Sequence, residues 1–362
     1  MQAETRSVRS IEPVLAELAG SMRTYEDLKE HLLSKLKFTP VHEIKPGTGG
    51  SPGFAAVDSS SAIVVDAGCF MIIAHRAGHM LSRNGRLIDP HRFTEIPFEL
   101  ALVNTSELAV EKNFHSFLRP LMAAMAGGRD VTDDMIPPLR QMRPRDIDWL
   151  QLVRTVSEWR EVRMLLDELE PGDYILHDGA LRADIRVPPS VVEDILKLAA
   201  ERQIHVVGLV KRSSIPVGPN QLMPVVPAVQ KLGAAELPGQ AWFSPLPLDE
   251  RIDDYPYNYG RSYIVQYHPV SQFVFWTDLN RFDSLTPDKA FGRISTLCSD
   301  PVYPGYPYPL AYIHNNVIVT RSNIEDIKYD LQSSALESNT LTPGSWELLF
   351  GNFHDILDIN LY

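Results

Sequence analysis

The chain has 362 residues, 44% hydrophobic, 22% charged and 9% aromatic, the balance of an ordinary soluble globular protein with one large domain plus additions, or two domains. A formal net charge of −12 excludes a protein that coats nucleic acid through bulk positive charge, although it leaves room for a local basic groove. Cys69 and Cys298 are the two cysteines, too few for a disulfide framework or a thiolate zinc cluster, and they fit a reducing, cytoplasmic setting.

The first stretch, "MQAETRSVRSIEPVLAELAG", interleaves charged and apolar residues and has no apolar core of a secretory signal. The longest apolar run, near "CFMIIA", is far too short to span a bilayer. Residues 10–37 carry apolar residues at three- and four-residue intervals and predict a helical arm. The Pro/Gly-rich "TPVHEIKPGTGGSPG" predicts a hinge after it. The expected division is an arm with its linker, residues 1–45, and a main domain, residues 46–362.

The main domain opens on two apolar runs of strand character, "GFAAVD" and "AIVVDAGCFMIIA". Asp58 closes the first and meets three serines. Asp and Ser bond their own backbone and stop strands as turns; a metal ligand at the end of a core strand is the other reading. Residues 113–170 are mostly helical in pattern, most clearly Arg145 to Glu170, which Pro144 precedes and Pro171-Gly172 ends. "DYILHDGAL" is a short buried strand ending in Asp178-Gly179. "PPSVVEDILKLAAERQ" opens a helix with Pro-Pro and a capping box of Ser190 with Glu193. "IHVVGLVKRS" is another buried strand, so Tyr174–Asp178 and Ile204–Val210 are expected to be parallel neighbours. Residues 214–260 are rich in proline without periodicity and predict a long irregular excursion. "SYIVQYHPVSQFVFWTDL" predicts an antiparallel hairpin turning at Pro269. "PVYPGYPYPLAYIHNN" and a helix near "SNIEDIKYDLQSSAL" follow. The sum is a mixed α/β sheet with helices packed on it.

Asp58 and Asp178 both close apolar strands, and in open α/β sheets ligands gather at the carboxyl ends of strands. Two converging carboxylates repel unless a cation lies between them, and Mg²⁺ or Mn²⁺ suits oxygen ligands. The long helix before Asp178 offers Glu158 and Glu161, one turn apart; either is otherwise a solvated helix charge. His75 and His79 in "HRAGH" have the i, i+4 zinc spacing of a helix, but the interior glutamate and a third ligand are missing. No Walker A loop, dinucleotide fingerprint or Gly-x-Ser-x-Gly elbow is present. Lys211 is either a phosphate contact or an ordinary strand-end lysine, and the tyrosines of "YPGYPYP" either stack unpaired bases or pack their loop.

Taken in order, "AVDSSS", "HDGAL", "VVGLVKRS" and "YPGYPYPLAYIH" resemble the motifs of the NurA nuclease family across about residues 50–335. Ser59 stands where that family's first motif has glycine. The resemblance implies a ribonuclease H-like mixed sheet flanked by helices. It implies metal ligands at Asp58 and Asp178, a helix carboxylate at Glu161 with Glu158 as its competitor, and a last ligand or proton-handling group at His314. Lys211 and Tyr306 would touch the substrate. It further implies Mn²⁺, with Mg²⁺ weaker, and cleavage of DNA, including 5′ to 3′ exonuclease action in DNA end processing. The partners would be a second copy of the chain and a hexameric HerA-type ATPase, with no membrane. Two other classes compete: a non-catalytic, nuclease-like adaptor dimer capping an ATPase ring, and a glycosidase-like hydrolase with paired carboxylates, which lacks evident sugar platforms.

Overall fold

The computed structural model describes residues 40–47, 50–88, 96–105, 118–129, 131, 142–143, 146–183, 187–211, 216–217, 223–246 and 257–338, with Pro13, Leu15, Ala16, Thr340, Thr342, Gly344 and Ser345. The arm expected over residues 10–37 therefore lies outside the described residues, but for its three helical positions at 13, 15 and 16. The chain divides into two compact units. One comprises residues 1–48, 209–278 and 285–307; the other comprises residues 49–208, 279–284 and 308–362.

The second unit carries the acidic residues. Its sheet is built from β1 (Phe54–Asp66), β2 (Phe70–Arg83), β3 (Glu99–Asn104), β4 (Tyr174–His177) and β5 (His205–Val210). The order is β3-β2-β1-β4-β5. β1, β2 and β3 run antiparallel in sequence, while β4 runs parallel to β1 and β5 parallel to β4. Three antiparallel strands extended by two parallel ones make the ribonuclease H-like sheet. The parallel pairing expected between the "YILH" and "HVVGLV" strands is present, with Tyr174 opposite His205 and His177 opposite Gly208.

The helices are α1 (Arg119–Met125), α2 (Trp149–Leu165), α3 (Pro189–Glu201), α4 (Tyr308–Val317) and α5 (Arg321–Glu337). α2 starts where the Asp148 carboxylate accepts from Gln151 N and buries a stripe that includes Leu152, Val156, Trp159 and Val162. It is shorter at both ends than the Arg145–Glu170 span. α3 begins at Pro189, not at a serine cap, so Ser190 lies inside the helix and Glu193 pairs with Lys197; the expected capping box does not form. Pro189 occupies the first helical turn, where its missing N–H costs nothing.

The N-terminal ends of β1 and β4 are clamped by Asp173, which is buried. Its carboxylate accepts from Gly53 N at 2.6 Å, Glu170 N at 3.0 Å and Arg83 Nη2 at 2.6 Å. Ala55, Ala56 and Val57 follow, fully buried between β2 and β4, which is why this part of β1 is small and apolar on both faces. Gly208 in β5 is needed for close approach, since a Cβ there would lie 2.4 Å from Gly179 O.

Two sequence expectations in this unit are corrected. β1 does not stop at Asp58. It continues through the serines to Asp66, and the turn falls at residues 67–69. "HRAGH" is not helical: it lies within β2, with His75 opposite Ser61 and His79 opposite Val57.

In the first unit, strand Trp242–Pro245 pairs antiparallel with Gly260–Gln266 on one side and with His42–Glu43 on the other. Part of the expected linker is thus an edge strand. The next strand is Phe275–Asn280, and the turn between it and Gly260–Gln266 is closed by Ser271 N donating to His268 O, close to the expected Pro269 corner. The expected excursion over residues 214–260 instead holds a helix, Val225–Glu236, packed on Trp242, Ile264 and Trp276 through Val229. Gly233 gives Trp242 its place, since a Cβ there would lie 2.2 Å from the indole ring.

Candidate metal centre

β1 and β4 pair from Phe54 opposite Tyr174 to Val57 opposite His177, and then they part. Asp58 and Asp178 are the next residue on each strand. Asp178 N still donates to Val57 O, at 3.3 Å. The site therefore sits at a fork in a parallel sheet, where ligands of open α/β sheets collect.

Among the described residues β1 keeps only β2 as strand partner beyond the fork, and its side chains alternate between two helical layers. On one face, Asp58 Oδ2 accepts from His314 Nδ1 of α4 at 2.7 Å, and Ser60 Oγ accepts from Val319 N at 3.1 Å. On the other face, Ser59 Oγ donates to Glu158 Oε1 of α2 at 2.6 Å, and Ser61 Oγ donates to Leu150 O at 3.2 Å. Every polar side chain of "DSSS" thus has a partner, which is how this strand carries four polar residues in a row.

Asp58, Asp178 and His314 each present a ligand atom, and the three atoms lie within 4.8 Å of one another. Asp58 is fully buried, and its second oxygen, Oδ1, accepts from Ser59 N at 2.7 Å. Asp178 is partly buried, and the His314 side chain is 46% exposed, so the cluster opens to solvent on the α4 side. Gly78 lies opposite Asp58 in β2 and leaves room for Ile96: a Cβ there would fall 2.5 Å from Ile96 Cδ1, whereas Ile313 Cδ1 of α4 would be at an ordinary contact distance of 3.7 Å. Two carboxylates and an imidazole form a donor set that fits Mn²⁺ or Mg²⁺, with nitrogen favouring the former.

Of the two helix glutamates, Glu161 is turned away from this cluster. Its Oε2 pairs with His79 Nδ1 at 2.8 Å, and its Oε1 accepts from Arg160 Nη2 at 3.2 Å. Glu158 feels the charges of both aspartates. Burial pushes its carboxyl up to about 8; the Ser59 hydrogen bond and Arg154 oppose this, and the charges of Asp58 and Asp178 add to it. Glu158 approaches the fork from the α2 face, and neither it nor Glu161 is among the three clustered groups. His177, buried and stacked on Trp159 with ring centroids 4.9 Å apart, lies 3.8 Å from Glu158 Oε2 through Nε2. Burial lowers His177 to about 4, so at neutral pH neither partner is charged and the contact is not an ion pair.

His75 and His79 do not form a zinc site together. Four residues along a strand separate them by roughly 13 Å, and each faces a different carboxylate, Glu99 at 3.5 Å and Glu161 at 2.8 Å. Lys211 and Tyr306 belong to the first unit, where Lys211 Nζ lies 5.3 Å over the Tyr306 ring and Tyr306 packs at a tilt against Phe275. From the sequence Ser59 is only a departure from the resembled motif, and Gly78 and His177 carry no site role. The signal for Ser59 is the period of two through "VDSSS", which puts it opposite in face to Asp58.

No protein-family model and no curated protein sequence matches the chain. Among solved structures it is similar to the NurA nuclease from Sulfolobus solfataricus, at 14% identity and a TM-score of 0.49, covering 91% of this chain and 98% of that one. It is similar to NurA bound to dAMP and manganese, at 8% identity and a TM-score of 0.44, covering 87% and 93%. It is also similar to Endonuclease V from Ciona intestinalis, at 12% identity and a TM-score of 0.38, covering 86% and 99%. Among the described residues no helix is long and apolar enough to cross a membrane.

Proposed function

We propose that the chain is a metal-dependent nuclease that hydrolyses phosphodiester bonds of DNA, with Asp58, Asp178 and His314 as ligands of the cation. The observation that carries this is the convergence of those three side chains at the fork where β1 and β4 part. A divalent cation bound there would activate water and stabilise charge on the phosphoryl oxygens, and a second would assist the leaving oxygen.

The chain's own groups have separate tasks. Asp58 and Asp178 stand on a buried strand and at a strand end, so their positions are fixed before substrate arrives. Ser59 N, donating to Asp58 Oδ1, holds that carboxylate in one orientation. His314 Nδ1–H donates to Asp58 Oδ2 and stands on the exposed side, where substrate would enter. Glu158 is the third carboxylate of the reading, set behind the fork; Glu161 is not used.

The motif resemblance extends the proposal. The cation is Mn²⁺, with Mg²⁺ weaker. The action is 5′ to 3′ exonucleolytic, in DNA end processing, by a homodimer working with a HerA-type hexameric ATPase in the cytoplasm. Lys211 and Tyr306 contact the DNA. The adaptor alternative would call for an incomplete ligand set, whereas Asp58, Asp178 and His314 are all in place. Digestion of labelled single-stranded DNA with Mn²⁺ and with excess chelator tests the proposal: products appear with Mn²⁺ alone if it holds, and absence of cleavage under both conditions rejects it.

A further inference from the structure

We propose that Ser59 is a positioning residue of the metal centre: its hydroxyl fixes the buried Glu158 carboxyl group at the fork, so that this group is held in one orientation behind the cation's ligands. The inference rests on the proposed metal centre, and it concerns the residue at which this chain departs from the motif it resembles.

Ser59 and Glu158 are both buried, and Ser59 Oγ lies 2.6 Å from Glu158 Oε1. A hydroxyl has one hydrogen to give. The other acceptor in reach, Arg154 O, is 3.4 Å away, so the proton goes to the carboxylate. Glu158's remaining polar neighbours stand beyond hydrogen-bond distance, with Arg154 Nη2 at 3.9 Å and His177 Nε2 at 3.8 Å. The hydroxyl is thus the hydrogen bond that orients this carboxyl group. A buried carboxyl stripped of it would turn toward whichever distant donor it could reach, because a buried polar group without a partner costs free energy.

The location makes the orientation matter. Ser59 follows Asp58 directly, and its own N–H bonds Asp58 Oδ1. One residue therefore touches both carboxylates: its backbone holds Asp58 on the α4 face, and its side chain holds Glu158 on the α2 face. Outer groups that orient metal-site carboxylates typically change metal affinity by about 10- to 100-fold when removed.

The test is Mn²⁺ binding to the full chain, read from the electron paramagnetic resonance signal of free Mn²⁺, with the melting temperature as a check on folding. Ser59→Ala should weaken Mn²⁺ binding by roughly 10-fold, and Ser59→Thr, which keeps the hydroxyl, should restore it. Glu158→Gln should weaken binding too, and Ser59→Ala should add nothing in that background, because the two groups act as one unit. If Ser59→Ala does not fold, Ser59→Thr against Ser59→Val asks the same question at matched shape. Wild-type Mn²⁺ affinity in folded Ser59→Ala, with only a lower melting temperature, would make the bond a helix-to-strand fastener and overturn the inference. So would losses that simply add in the double variant. Asp58→Asn separates the two levels: if it binds Mn²⁺ like wild type, the metal centre itself fails, and if it loses Mn²⁺ while Ser59→Ala does not, the Ser59 inference fails alone.

Discussion

Asp58 and Asp178 occupy equivalent places on two parallel strands, each one residue past the last paired position, Val57 opposite His177. The sheet brings them together through backbone register, which leaves little freedom for their carboxylates to separate. Repulsion between them is the standing cost of the arrangement, and a cation removes it.

Asp178→Asn is expected to abolish cleavage while the melting temperature stays within a few degrees of wild type. The residue is partly exposed and stands past the strand end, so its carboxylate serves the cluster more than the core. Differential scanning calorimetry beside a cleavage assay checks both halves, and a collapse in stability would place Asp178 among structural residues instead.

His314 as a ligand must be unprotonated, so acidification should release metal and lower activity, and extra Mn²⁺ should partly restore it. A proton donor would behave otherwise: its effect would fade as pH rises, and metal would not help. Mn²⁺ titrations of His314→Ala and His314→Asp at several pH values distinguish these. His314→Asp should keep part of the activity, since a carboxylate can replace imidazole as a ligand; wild-type behaviour in both variants at low Mn²⁺ would remove His314 from the chemistry.

The metal-free protein should become less stable as pH rises from about 6.5 to 8. Glu158 sits near 8 when folded and near 4.5 when unfolded, so its protonated form stabilises the fold at low pH and that stability is lost as pH climbs to about 8. His177, lowered to about 4, acts oppositely but only below its ordinary value of 6.5. Above 6.5 Glu158 is left to set the slope, worth on the order of 1–2 kcal/mol. Urea denaturation in chelator measures it, and Glu158→Gln should flatten the dependence; an unchanged slope in that variant would assign it to other groups.

Much of this was legible in the sequence, and the failures have physical causes. The β4–α3–β5 unit was plain because short apolar strands flank an amphipathic helix opened by proline. His314 stands on α4 and meets Asp58. β1 was cut at Asp58 because Asp and Ser stop strands when unpartnered, whereas here α2 and α4 satisfy them from both faces. The "HRAGH" spacing suits a helix face, but two residues i and i+4 also share a face of a strand, and the neighbours decided for β2. Glu158 and Glu161 differ by about 60° around one helix, an angle that only the docked helix reveals. Helix Val225–Glu236 hid behind prolines at its entrance.

Gly208→Ala is expected to cost about 1–3 kcal/mol and to weaken Mn²⁺ binding. The added Cβ would meet Gly179 O at 2.4 Å, a backbone atom that cannot rotate aside, in the loop directly after Asp178. Denaturant melts and Mn²⁺ titration follow the two effects, and wild-type values for both would show that the loop has slack.

Metal choice follows from the donor set. Cleavage should be fastest with Mn²⁺, slower with Mg²⁺ and minimal with Ca²⁺, which prefers higher coordination than two carboxylates and an imidazole provide. Equal rates with Ca²⁺ would argue for a looser site than this one.

The central claim is that Asp58, Asp178 and His314 hold the cation that cleaves DNA. Its most direct measurement is cleavage of end-labelled single-stranded DNA by the wild type, Asp58→Asn and Asp178→Asn, purified in parallel, in Mn²⁺ and in excess chelator. The account predicts cleavage by the wild type in Mn²⁺ alone and none by either variant; cleavage that persists in chelator, or in Asp178→Asn at the wild-type rate, would contradict it.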